Sequence, residues 1–143
     1  MGKVRNILQK KTNVIFSINP NCTVYDALEI MFEKNVGALL VTEGNRLVGI
    51  FTERDYARKV ILKGKASKET PVGEIMTEEP TSVSPDTGIE ECMQLMTNRF
   101  VRHLPVIENG ELKGVVSIGD VVKFIIEEQK FIIENLEHYI TGT

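Results

Sequence analysis

The chain contains two copies of one pattern. When Pro20 is laid over Pro85, the two stretches run together without a gap for about forty-five residues. Ser17 then falls on Ser82, Met31 on Met96, Val36 on Val101 and Leu39 on Leu104. Further on, Val41 meets Val106, Glu43 meets Glu108, Gly49 meets Gly114 and Asp55 meets Asp120. Thr12 meets Thr77, and conservative pairs such as Ile18 with Val83 and Lys34 with Arg99 fill the intervals. A chain built this way is expected to fold as one supersecondary unit used twice, with the two copies sharing a core.

Each copy reads as strand, helix, strand, strand, helix. Asn13–Ile18 and Pro80–Ser84 are the expected first strands, stopping at Pro20 and Pro85. In the first helix Val24, Ala27, Leu28, Met31 and Phe32 recur at the spacing of a single buried stripe. Ile89, Cys92, Met93 and Met96 repeat it. Thr23 or Asn21, and Asp86 or Thr87, are the expected helix caps. Gly37–Thr42 returns as Arg46–Phe51, and Arg102–Ile107 returns as Glu111–Val116. The second turn contains Asn109-Gly110, which tolerates positive φ at both positions. Thr52 and Ser117 open the second helices, and Pro71–Met76 is a short helical lead-in to the second copy. The fold class is therefore α+β, with the first motif at 8–63, a linker and lead-in at 64–75, the second motif at 76–127 and a helical extension at 128–143.

Composition narrows the function. At 143 residues, 42% hydrophobic and 26% charged, the chain resembles an ordinary globular domain, and its net charge of −3 gives no basic field for nucleic acid. Cys22 and Cys92 have neither disulfide-framework nor metal-ligand spacing. No apolar run approaches a membrane span, and the opening Met1-Gly2-Lys3-Val4-Arg5-Asn6 lacks the apolar stretch of a secretory signal, so a soluble cytoplasmic protein is expected.

The most specific feature follows each hairpin. Gly49-Ile50-Phe51-Thr52-Glu53-Arg54-Asp55 and Gly114-Val115-Val116-Ser117-Ile118-Gly119-Asp120 each place a carboxylate three residues after a hydroxyl at a strand-to-helix corner. One reading is a capping box, although that motif favours the longer Glu or Gln. The other is a short acid that accepts both hydroxyls of a ribose, as acidic residues do in dinucleotide sites.

These paired segments, together with Arg102-His103-Leu104-Pro105-Val106, resemble tandem CBS domains (the cystathionine β-synthase module) of the stand-alone bacterial type. The resemblance runs from about Val4 to about Ile126. It implies a pseudo-twofold pair, or Bateman module, that is regulatory rather than enzymatic and binds adenosyl ligands in clefts between the copies. AMP is the favoured ligand, with ADP, ATP or NAD as possibilities; an S-adenosylmethionine-type sensor and a ligand-free dimerisation scaffold are the alternatives. By the same resemblance Asp55 and Asp120 would hold ribose, with Thr52 and Ser117 beside it. Thr12 and Thr77 would lie near the ligand, and the strands containing Ile15 and Thr81 would offer backbone groups to adenine. Arg102 and His103 fit a phosphate-binding pair, since guanidinium can give two parallel bonds to phosphate oxygens. Gly37 and Ala38 occupy the matching positions in copy one, so the two sites are expected to be unequal. Arg58 sits one turn beyond Arg54, so both would line one edge of the second helix and supply the charge that copy one lacks to a phosphate between the copies. No metal ligand or catalytic residue is expected.

Val121 to Ile140 forms a longer helical pattern than a second CBS helix needs. Phe131, Ile132, Ile133, Leu136, Tyr139 and Ile140 would be exposed on a monomer, so a homodimer is expected, alongside an unidentified regulated protein.

Overall fold

A computed structural model describes residues 2–11 and 15–141. The candidate Thr12, and Asn13 and Val14 of the expected first strand, lie outside them.

The two repeats build the same unit. In the first, β1 (Ser17–Ile18) pairs in parallel with β2 (Ala38–Glu43), which turns back antiparallel into β3 (Arg46–Thr52). In the second, β5 (His103–Glu108) and β6 (Glu111–Ser117) form the equivalent hairpin, and Val83 bridges to Val106 where Ile18 meets Val41. Both hairpins slip register just after the matching residues Val41 and Val106. The expected strand Pro80–Ser84 is reduced to that single bridge among the described residues. Pro80 and Pro85 bracket it and neither can donate a ladder hydrogen bond.

The first helices, α2 (Val24–Lys34) and α5 (Ile89–Arg99), bury the expected stripes: Val24, Ala27 and Met31 in one, Ile89, Cys92 and Met96 in the other. Thr23 caps α2 reciprocally with Asp26. The cap of α5 is Gly88, which has no side chain to offer, while Asp86 and Thr87 are engaged in a turn with Ser84. Both helices stop on a left-handed residue, Asn35 (φ 53°) and Phe100 (φ 54°). Asparagine tolerates that conformation; phenylalanine is strained there.

The second helices differ. In repeat two, α6 (Ile118–Thr141) is one continuous α-helix. In repeat one, α3 (Glu53–Asp55) gives way at once to a π-helical stretch, Tyr56–Ile61. Such wide turns are rare and concentrate at functional positions.

The lead-in segments are exchanged. The first, α1 (Val4–Lys10), precedes repeat one yet buries Val4 and Ile7 among Ile89, Leu104, Val116 and Val121 of repeat two. The second, α4 (Val72–Ile75), precedes repeat two yet buries Val72 and Ile75 among Val24, Leu39, Phe51 and Val60 of repeat one. Backbone bonds mirror the exchange: Val72 N–H donates to Cys22 at 2.7 Å and Val24 N–H to Thr70 at 2.9 Å, while Val4 N–H donates to Thr87 and Ile89 N–H to Gly2. Just after α4, β4 (Thr77–Glu78) joins the first sheet against β3, giving the order β1-β2-β3-β4. A side chain at Gly49 would sit 2.9 Å from the Thr77 carbonyl, so the close approach of β4 requires glycine there. The result is an α+β fold of two β-α-β-β-α units arranged as a pseudo-twofold pair.

Candidate functional site

Asp55 lies where β3 enters α3, and it is 7% exposed. Thr52 ends the strand in an extended conformation, so its hydroxyl faces the first helical N–H groups and accepts from Asp55 N–H at 3.1 Å. In return, Asp55 Oδ2 accepts from Thr52 N–H at 3.0 Å and from the Thr52 hydroxyl at 3.1 Å. The capping box therefore forms despite the short acid. The other oxygen, Oδ1, accepts from the Thr77 hydroxyl at 3.2 Å and pairs with Lys59 Nζ at 3.1 Å. A carboxylate has about four acceptor positions, and these donors occupy them.

Asp120 has the same box, with Ser117 N–H donating to Oδ2 at 2.9 Å. Its lysine comes from elsewhere: Lys11 Nζ donates to the same oxygen at 2.8 Å and to the Val115 carbonyl at 3.0 Å. Burial works to raise the Asp120 pKa, but the bonds from Lys11 and Ser117 outweigh it and hold the group below the usual carboxylate range. Lys59 is replaced by Phe124 in repeat two, and Lys11 by Met76 in repeat one. Each acid thus acquires one ammonium from a different part of the chain. No donor among the described residues meets Asp120 Oδ1.

Thr52, Asp55, Arg58, Thr77, Thr81, Arg102 and His103 line one cleft of about 430 Å³. Asp55 comes from α3, Thr77 from β4 of the first sheet, and His103 opens β5 with Arg102 just ahead of it, so both repeats contribute. Ser117 does not line this cleft. Asp120 lines a smaller depression of about 160 Å³ with Lys10, Lys11 and Lys123. Ile15 faces a third hollow beside the hairpin turns, with Ser17, Asn45 and Glu111.

The sequence did not single out Arg99 or Lys59, whereas Arg54, expected beside Arg58, also lines the cleft. Arg54 donates to the Phe100 carbonyl at 3.1 Å, tying repeat one to the end of α5. Arg99 joins Arg58 and Arg102 as guanidinium groups with no acceptor among the described residues. The repeat signals Arg99 through its match with Lys34, and likewise matches Arg58 with Lys123. Arg102 is exposed, so a ligand without phosphate would leave it in water rather than buried and unpaired.

His103 is half-buried at the start of β5. Burial depresses its pKa; Lys11 and Arg102 add to the depression, while Asp120 and Glu53 oppose it. The imidazole is accordingly neutral at pH 7, and its charging falls at lower pH than an unperturbed histidine would show.

No helix of the described residues is long and apolar enough to cross a membrane, and no cluster of His, Cys, Asp and Glu among them could hold a metal ion. The CBS domain family matches residues 4–62 and 72–127. CBS domain-containing protein CBSX3, mitochondrial, of Arabidopsis thaliana is 49% identical over 125 residues, covering 84% of this chain; the chain spans 61% of that protein's length. CBS domain-containing protein YhcV of Bacillus subtilis is 36% identical over 109 residues, covering 76% of this chain and 77% of its own. A CBS-domain protein structure from Burkholderia ambifaria MC40-6 superimposes with a TM-score of 0.86 at 48% identity, covering 90% of this chain and 96% of the other. The CBS-domain containing protein ATU1752 of Agrobacterium tumefaciens gives 0.81 at 34% identity, covering 85% and 98%. CBS domains are non-catalytic regulatory modules. With two matched repeats, an exchanged pair of lead-in helices and this agreement across both sequence and structure, the chain belongs to the CBS-domain family.

Proposed function

We propose that this chain is a cytoplasmic, homodimeric sensor of adenine nucleotides that passes a conformational change to a partner protein. AMP is the favoured ligand, with ADP, ATP and NAD as further members of the class. The observation that carries this reading is the composition of the 430 Å³ cleft: hydroxyls and the Asp55 carboxylate of repeat one line it together with Arg102 of repeat two, and with Arg58 and Arg99. A ligand with sugar hydroxyls at one end and phosphate at the other matches that polarity. The same surplus of guanidinium disfavours S-adenosylmethionine, whose sulfonium is cationic. A ligand spanning the cleft stabilises whichever relative position of the repeats satisfies both walls, which is the physical content of a sensor.

The acids set a condition. Asp55 accepts from Thr77 and Lys59 already, so a ribose hydroxyl reaches it by displacing one of them, and Lys59 is the mobile one because its side chain is 45% exposed. The displaced ammonium then lies in the same cleft as the phosphate.

Calorimetry with AMP and adenosine tests the reading. AMP is expected to bind more tightly by about 5- to 30-fold, corresponding to roughly 1–2 kcal/mol for partly screened charge-assisted bonds. Arg102→Ala is expected to remove most of that gap and leave adenosine binding nearly unchanged. Equal affinities for AMP and adenosine in the unaltered protein would overturn the phosphate assignment. Absence of binding by any adenosyl compound would leave the scaffold reading.

A further inference from the structure

From Gln129 to Ile140, every residue of α6 is exposed. Phe131, Ile132, Ile133, Leu136, Tyr139 and Ile140 are each half or more uncovered along this stretch. A solitary helical segment of this length is marginal in water, and packing of its apolar face normally supplies the missing stability. We infer that the occupant of this face is the same helix of a second copy, laid antiparallel across it. This rests on the homodimer reading and adds to it the surface, the orientation and the residues that set both.

The apolar pattern has a seven-residue period. Ile126, Ile133 and Ile140 hold one seam position, and Val122, Gln129 and Leu136 hold the other. Ile125, Ile132 and Tyr139 flank the seam on one side, while Lys123, Lys130 and Glu137 flank it on the opposite side. Flanking charges set orientation in paired helices. In a parallel pair the charged flank of one helix faces the apolar flank of the other, leaving Lys130 and Glu137 beside Ile and Tyr. In an antiparallel pair like flanks face each other. With Ile133 opposite Leu136 of the second copy, Lys130 of each copy lies beside Glu137 of the other, and Ile132 lies beside Tyr139. The opposite signs one heptad apart on one flank are what make this face complementary to itself, as a twofold contact requires.

Area supports the same occupant. Tyr139 alone leaves on the order of 150 Å² uncovered on the apolar flank, from an aromatic side chain of roughly 150–250 Å², whereas Phe131 lies on the outer side of the helix, opposite the seam. Ile126, Ile132, Ile133, Leu136 and Ile140 add to that.

Sedimentation equilibrium of the full chain at low salt tests this by charge exchange. Lys130→Glu and Glu137→Lys are each expected to weaken the dimer about tenfold, because two exposed attractions per dimer become repulsions. The double variant is expected to recover the original affinity. Ile133→Lys is expected to give a monomer that keeps its nucleotide affinity, because the tail lies outside both repeat cores. A dimer indifferent to all three single substitutions would overturn the surface while leaving the homodimer intact. Weakening by the single charge variants without recovery in the double would overturn the antiparallel orientation. A monomer in the unaltered protein at tens of micromolar would overturn the homodimer itself.

Discussion

Replacing Asp55 by alanine is expected to destabilise the fold more than it weakens the ligand, and the magnitude follows from the four donors that Thr52, Thr77 and Lys59 present to its carboxylate. The substitution removes the return half of the capping box, while the Thr52 hydroxyl keeps the backbone N–H of residue 55. It also strips acceptors from Thr52 N–H and the Thr77 hydroxyl in a corner where Asp55 itself is 7% exposed, at about 1–3 kcal/mol for each donor left dry. Lys59 loses little because it keeps the Ile75 carbonyl at 3.1 Å and can turn to water. The expected loss is about 3 kcal/mol, a drop in melting temperature of roughly 10 °C for a chain of this size. Asp120→Ala is expected to cost less, about 1–2 kcal/mol, because its side chain is 24% exposed and Lys11 retains the Val115 carbonyl. Urea unfolding of both variants without nucleotide gives the comparison directly. Equal losses, or a larger loss from Asp120→Ala, would refute the claim that saturation of the carboxylate sets its structural weight. Repeating the titration with saturating AMP separates the roles, since ligand stabilisation adds only to the extent that the cleft still binds.

Two further outcomes follow from the core and from His103. Ile7→Ala, which empties a site in repeat two although the residue precedes repeat one, is expected to cost about 2–5 kcal/mol, measured by the shift of the urea midpoint. For His103, the folded pKa lies below that of the unfolded chain, so between the folded value and about 6.5 the unfolded chain binds more protons. Stability should therefore rise with pH through that window and be fully present above it; His103→Gln should flatten the slope in a series of thermal melts, and an unchanged slope would remove His103 from the account.

The repeat made much of this architecture legible. Matching positions predict two hairpins, two buried helical stripes and two hydroxyl–acid corners, all of which depend on short-range periodicity and turn chemistry. The exchange of α1 and α4 was not legible, because local pattern marks a helix as amphipathic without saying whose core receives it. Nor does periodicity separate a π-helical Tyr56–Ile61 from the α-helix at the matching place in repeat two. The convergence of Asp55 with Arg102 was expected only through family resemblance. Arg99 could have been added from the repeat alone, since its counterpart Lys34 keeps the charge. Phe100 had no sequence signal: its left-handed backbone is visible only against Asn35, which adopts the same conformation with a residue suited to it.

The crossed lead-in helices also impose an order on synthesis. As the chain leaves the ribosome, α1 appears first, but Val4 and Ile7 have nowhere to bury until β6 and α6 exist, nearly the whole chain later. Repeat one closes earlier, as soon as Val72 and Ile75 emerge. The newborn protein thus holds a finished first half with an apolar handle still hanging from it, through the stage when exposed surface most invites aggregation or a chaperone. Moving α1 to the far end of the chain, behind a linker long enough to reach back along α6, would let it arrive last and find its place ready, removing that interval.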